Sequence, residues 1–338
     1  MLEIAKIIQA PMAGVSTPEM AAAVSNAGGL GSIGVGATNA DGARKMIAEV
    51  RARSTGPLNV NVFCHAPAKT DAAREARWIE RFRPRFAEYG ASPPSPLREI
   101  YESFVVSDDV LRALAETKPE IVSFHFGVPS AERVAVLRGA GCTLLGSATN
   151  VQEARVLADA GVDAIVAQGW EAGGHRGVFD PSAHDDRLGT FALVRLLVRE
   201  IDKPIIAAGG IMDGAGIAAA LRLGAVAAQL GTAFVACPES SADAGYRAAL
   251  ASDAAKHTEM TRAISGRPAR CLRNRFTAIE ADEDAPDYPI AYDLGKSLHA
   301  AAKAKGDFGW GAQWAGQGAP LSRPMPAADL VSTLKREM

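Results

Sequence analysis

Short apolar runs punctuate the chain at regular intervals, and amphipathic stretches fill the gaps between them. The runs are Ile7–Met12, Gly29–Gly34, Leu58–Phe63, Ile121–Phe126, Cys142–Ser147, Ala164–Gln168, Pro204–Gly209 and Ala225–Leu230. They show little alternation of apolar and polar residues, the pattern of parallel strands covered on both faces. The stretches Thr17–Asn26, Ala40–Arg53, Ser130–Gly139, Val151–Ala160, Thr190–Ile201 and Gly214–Leu223 carry apolar residues at helical spacing. Several of them close on Ala27-Gly28, Ala140-Gly141, Ala160-Gly161 or Gly224-Ala225, pairs that stop a helix and lead into the next strand. Eight strand–helix units predict an α/β fold, a (β/α)8 TIM barrel.

Two regions break the repeat. The connection 64–108 is long, carries the turn-rich Ala91-Ser-Pro-Pro-Ser-Pro96, and is expected to hold two helices. About a hundred residues follow the eighth strand, more than one closing helix needs. The expected division is therefore a barrel, 1–235, closed by 310–338, and a smaller, mainly helical capping subdomain, 236–309, over the barrel mouth. Residues Ala327–Met338 read as the last helix.

A chain of 338 residues with 48% hydrophobic and 22% charged residues is long and apolar enough for one large globular domain with a smaller attachment. The net charge of −2 gives no electrostatic footprint for nucleic acid. An apolar run of 18 residues is missing, so no membrane span is expected. The start, MLEIAKIIQAPM, lacks the charged region, apolar core and cleavage site of a secretory leader. Cys64, Cys142, Cys237 and Cys271 are scattered without a CxxC pair, as in a reducing compartment. A cytoplasmic location is expected.

In a TIM barrel the chemistry sits at the carboxyl ends of the strands. The sixth predicted strand runs into Gln168-Gly-Trp-Glu-Ala-Gly-Gly-His-Arg-Gly177. Its four glycines let backbone approach a ligand, and it carries an amide, a carboxylate, an imidazole and a guanidinium. A glycine-rich loop bearing a surface histidine is the plainer alternative. The first strand ends at Pro11-Met12, where the Met12 backbone can face a ligand. Asn59 and Asn61 share one face of the third strand, and buried amides need partners. His125 ends the fourth strand between two phenylalanines. Glycines after the seventh and eighth strands, Gly209-Gly210 and Gly231, together with a helix start near Asp213, predict a phosphate site. This layout suits a phosphorylated aromatic cofactor, and FMN fits it well. Pyridoxal phosphate fits less well, because no strand-end lysine is present for a Schiff base. A metal centre is not expected, since the histidines lie on separate strands without ligand spacing. The spacing Gly29-Leu-Gly-Ser-Ile-Gly34 imitates a dinucleotide fingerprint but falls within a strand.

These pieces together make the chain resemble the nitronate monooxygenases, formerly called 2-nitropropane dioxygenases. The resemblance rests on Gln9-Ala-Pro-Met12, Asn59-Val-Asn61, Phe124-His-Phe126, Gly169–Gly177, Ala208-Gly-Gly-Ile211 and Gln229-Leu-Gly-Thr232. A later segment, Tyr288-Pro-Ile-Ala-Tyr292-Asp-Leu-Gly-Lys296 followed by Trp314-Ala-Gly-Gln317, looks like the signature of the bacterial branch that prefers propionate 3-nitronate. Tyr288, Tyr292 and Lys296 are spaced for one face of a helix.

The resemblance implies FMN bound by Met12, Asn61, Gln168, Gly173, Gly174, Gly210, Gln229, Leu230, Gly231 and Thr232. It implies His175 as the catalytic residue, and His125, Tyr288, Tyr292 and Lys296 around the substrate. The implied chemistry is detoxifying oxidation of an alkyl nitronate by dioxygen through a flavin semiquinone, giving a carbonyl compound and nitrite. A protonated His175 and a helix dipole are the candidates for stabilising negative charge on the flavin. The alternative is a sister FMN barrel, an NADH:quinone reductase or an enoyl-carrier-protein reductase. A monomer or homodimer without macromolecular partners is expected.

Overall fold

The computed structural model describes residues 4–281 and 284–338. The first three residues, part of the stretch scanned above for a leader, lie outside them. Eight parallel strands form the barrel: β1 (Ile7–Gln9), β2 (Gly31–Gly34), β3 (Leu58–Phe63), β4 (Ile121–His125), β5 (Thr143–Ala148), β6 (Ala164–Gln168), β8 (Ile205–Ala208) and β9 (Ala227–Leu230). The order β1-β9-β8-β6-β5-β4-β3-β2 is the barrel's circular order. β1 meets the β2 side through the Ile8–Leu30 bridge, with Gln9 N donating to Leu30 O at 3.0 Å and Leu30 N to Ile7 O at 2.9 Å.

Around this ring pack α1 (Pro18–Asn26), α2 (Ala40–Arg51), α4 (Asp108–Thr117), α5 (Ala131–Gly139), α6 (Val151–Asp159), α7 (Thr190–Glu200) and α8 (Gly214–Arg222), with α12 (Ala327–Glu337) against α1 and α8. Side-chain oxygens of Thr17, Asn39, Asn150 and Asp213 accept the first free N–H groups of α1, α2, α6 and α8. The glycines read as helix stops, Gly28, Gly141, Gly161 and Gly224, all have positive φ. The strands are apolar because both faces are covered. One face packs on the helices in a continuous aliphatic layer, and Ile8, Leu145, Val166 and Ile206 fill the barrel interior.

The cap departs from expectation in two places. The 64–108 connection holds one helix, α3 (Ala72–Ala87), where two were expected; the next helix, α4, starts at Asp108 and belongs to the barrel layer. After β9 the chain forms the short α9 (Thr232–Val235) and α10 (Ala244–Leu250), then β10 (Thr258–Thr261), β11 (Ala269–Leu272) and α11 (Ile290–Lys303). The unit is mainly helical, as expected, with a small sheet that was not foreseen. β10 and β11 are antiparallel, and β11 pairs on its other side with β7 (Gly174–His175), inside the glycine-rich loop. That pairing was invisible locally, since a two-residue strand exists only through its partner. Trp78, Phe82 and Phe86 of α3 share one apolar core with Leu294 and Leu298 of α11, Phe276 and Trp310. Segments far apart in sequence therefore build one lid on one face of the barrel.

Candidate active site

A cavity of about 920 Å³ opens at the carboxyl ends of the barrel strands, beneath the lid. Met12, Asn61, His125, Gln168, Gly173, Gly174, His175, Gly210, Gln229, Gly231, Thr232, Tyr288, Tyr292 and Lys296 all line it. Leu230 does not. Strand alternation turns its side chain out of the barrel into the apolar core with α1, α8 and α12, while its carbonyl accepts from Ala10 N at 2.8 Å. The Met12 backbone also differs from expectation. Its N–H donates to Ser16 Oγ at 3.0 Å, and its carbonyl accepts from Val15 N and Ser16 N at 2.9 and 2.8 Å, so the side chain is what remains for the cavity.

Polar side chains of the strands hold the floor in place. Asn61 Nδ2 donates to the carbonyl and hydroxyl of Ser123, both at 3.0 Å. Asn59 sits deeper, bonded to Ser32, and its Oδ1 is buried without a partner among the described residues. Gln168 clasps the glycine-rich loop. Its Oε1 accepts from Gly177 N at 2.6 Å and its Nε2 donates to His175 O at 3.0 Å. Two charged members of the loop are braces. Glu171 accepts from Thr190 N at 2.8 Å, capping α7 from outside, and Arg176 pairs with Asp185 at 2.7 Å. Gly173 is required by close approach, because a β-carbon there would lie 2.4 Å from Gly316 N.

Across the barrel from β3 and β4 lie the ends of β8 and β9, where Gly209, Gly210, Gly231, Gly316 and Gly318 make a wall almost without side chains. Gly210 has φ +70°, and a β-carbon there would press on Glu171 Cβ at 3.1 Å.

A second wall is aromatic. The His175 ring meets Trp314, Tyr288, Phe126 and Tyr292 at centroid distances of 5.1, 5.3, 5.7 and 6.2 Å. Its Nε2 lies 2.8 Å from Ser265 Oγ. Burial, reinforced by His125, Arg267 and His65, pushes the His175 pKa down to about 3. His125, its Nε2 3.4 Å from His175 O, falls to about 4, also through burial. Burial therefore works against the protonated His175 named above as a candidate for stabilising negative charge.

Tyr288 is buried, and its hydroxyl has no hydrogen-bond partner among the described residues. At the rim, Lys296 Nζ donates to Tyr101 Oη at 2.7 Å and lies 5.7 Å from the Tyr292 ring centroid. Sequence reasoning missed Tyr101, His65, Ser265 and Arg267. Tyr101 comes from the irregular part of the 64–108 connection, which has no periodicity to mark it. Cys64 and Cys271 are buried outside the cavity lining, so neither thiol approaches a ligand there.

Residues 1–337 match the nitronate monooxygenase family. The chain belongs to that family. It is 65% identical over 335 residues to the nitronate monooxygenase of Paraburkholderia phytofirmans, covering 98% of this chain and 92% of that protein. It is 53% identical to the nitronate monooxygenase of Pseudomonas aeruginosa, covering 98% and 95%. Among solved structures it is similar to a nitroalkane oxidase from Streptomyces ansochromogenes, with TM-score 0.92, 42% identity and coverage of 98% and 95%. FabK from Thermotoga maritima shares the fold at TM-score 0.75 and 31% identity, over 98% and 92%. This nitronate monooxygenase family member is thus an oxidoreductase on a TIM barrel, and none of its described helices is long and apolar enough to cross a membrane.

Proposed function

We propose that the cavity binds FMN and that the chain oxidises alkyl nitronates, propionate 3-nitronate foremost, with dioxygen to a carbonyl compound and nitrite. The observation that carries this reading is the aromatic wall. Tyr288 brings a buried, uncommitted hydroxyl to a cavity whose rim holds the Lys296–Tyr101 pair. Those donors match a small ligand with a carboxylate at one end and a nitronate at the other.

The residues present fit FMN. The cavity volume is within the range of cofactor sites. The Gly210 position is a cradle that a β-carbon would narrow, as backbone binding of a phosphate requires. Gly210, Gly231 and Thr232 would hold the phosphate, and Asn61 and Gln168 would meet the ring system. When bound, FMN supplies the electron acceptor for the nitronate and the centre at which dioxygen is reduced. Lys296 and Tyr101 orient the carboxylate. The neutral His175, tethered to Ser265, offers the nitronate a hydrogen-bonding group at fixed orientation. A nitronate has already lost its proton, so the low basicity of His175 does not impede the reaction. The apolar lid excludes water from the pocket. The family resemblance and the absence of a described membrane helix support a cytoplasmic enzyme working on small molecules.

The test uses the purified holoprotein. A flavin spectrum, nitrite release matching propionate 3-nitronate consumption, and no bleaching by NADH are expected. Fast bleaching by NADH without nitrite formation would move the chain to the reductase alternatives.

A further inference from the structure

Burial disfavours protonation of the imidazoles around this pocket, so a positive charge near an anionic substrate has to come from other side chains. His65 is held at about 4, His125 at about 4 and His175 at about 3. Lys296 stands at the exposed rim. Lys303 also lines the cavity but is paired with Asp243 at 2.9 Å, and a further cation, Arg267, lies behind the pocket wall. Arg267 is 4% exposed and does not line the cavity. Its guanidinium carbon sits 4.3 Å from the ring centroid of Phe126, which does line it. Arg267 Nη2 donates to the carbonyl of Val178 and, at 3.5 Å, to that of Phe179, and Nε has no partner among the described residues. In contrast to Arg176, it has no carboxylate within ion-pair distance among the described residues. The groups that face it are Tyr288, Arg262, Glu153 and Asp180. Both carboxylates act on it only from beyond ion-pair distance, Glu153 accepting from Thr149 and Phe179 and Asp180 from Ser182.

Phe126 is itself unusual. It has φ +73°, a left-handed conformation that a bulky residue adopts only when its surroundings enforce it. The turn sets its ring between the guanidinium and the pocket, where it meets His125, Tyr288, His175 and His65 at 4.4, 5.6, 5.7 and 6.3 Å. A ring in that position excludes water without cancelling the charge, so the field behind it reaches the cavity weakly screened.

We propose that Arg267 is a positioning residue of this site, a charge with no carboxylate at ion-pair distance among the described residues, acting through the Phe126 ring on an anionic substrate. The inference rests on the nitronate reading above. The same field opposes a second positive charge nearby, which ties substrate attraction to the neutrality of the histidines.

The test compares Arg267→Met and Arg267→Lys holoenzymes with the natural chain, using a nitronate and its parent neutral nitroalkane. Arg267→Met is expected to raise the nitronate KM about tenfold relative to the nitroalkane KM. It should also move the histidine titrations, followed by NMR, upward. Arg267→Lys should restore both. An unchanged KM ratio and unchanged titrations in folded Arg267→Met would overturn the proposal, as would Arg267→Lys behaving like Arg267→Met. Should Arg267→Met not fold, Arg267→Lys alone decides: retained nitronate KM and low histidine titrations support the charge, and loss of either refutes it. If the natural chain releases no nitrite, the nitronate reading fails, and the titration arm still tests the field.

Discussion

The two walls of the cavity are built on opposite principles. At the ends of β8 and β9, Gly209, Gly210 and Gly231 present backbone and little else. That wall carries few titratable side chains, so what it offers a ligand is set by backbone geometry. The aromatic wall is side chain throughout: Phe126, His175, Tyr288, Tyr292 and Trp314, with His65 behind. There burial controls the chemistry, holding the histidines neutral and the phenols protonated. A cofactor that is always the same can be held by backbone. A reacting group needs tuned side chains, and tuning means burying groups that water would otherwise ionise.

The comparison breaks most visibly at His175. His175→Asn is expected to lower kcat/KM for nitronates by roughly 10²-fold or more while flavin absorbance per protein stays constant. Loss of flavin with normal turnover per bound flavin would reverse the assignment of the walls. Gly210→Val should do the opposite, cutting flavin occupancy about tenfold through strain at positive φ and contact with Glu171; absorbance after gel filtration measures it. Tyr288→Phe removes an unpartnered buried hydroxyl. It should raise the nitronate KM several-fold and leave the substrate-free protein at least as stable in thermal melts.

The pH dependence sharpens the contrast further. His65, His125 and His175 have folded pKa values of about 4, 4 and 3, below the ordinary 6.5. The unfolded chain therefore takes up protons that the folded chain refuses. Stability is fully present above about pH 6.5 and is lost as pH falls toward 4, by about 2 kcal/mol per histidine at pH 5. A Tm that holds steady between pH 7 and 5 would contradict the burial of these rings. The smallest effect belongs to Lys296, which is exposed and screened. Lys296→Met should raise KM a few-fold for propionate 3-nitronate and hardly at all for a nitronate without a carboxylate.

Much of this was legible in the chain because it is local. Apolar runs of parallel strands, capping residues such as Thr17 and Asp213, and Gly28 or Gly161 at helix ends depend on neighbours in sequence. The glycine wall was legible for the same reason, since Gly209-Gly210 and Gly231 follow their strands directly. Leu230 was misread because a run of site residues takes no account of strand alternation. Glu171 and Arg176 were given no structural role, because their partners Thr190 and Asp185 lie 19 and 9 residues away.

The sequence by itself determined the barrel, the order of its strands and the positions at which backbone could meet a phosphate, because those follow from periodicity and turn chemistry. Only the tertiary structure decided that Gly174–His175 is a strand, that α3 joins α11 in the lid, and that Tyr101 reaches Lys296. It also decided charge. A histidine in a sequence has an ordinary pKa. The charge of His175 depends on how much water Phe126, Tyr288 and Trp314 exclude and on a guanidinium 92 residues away, and those are properties of packing, not of neighbours along the chain.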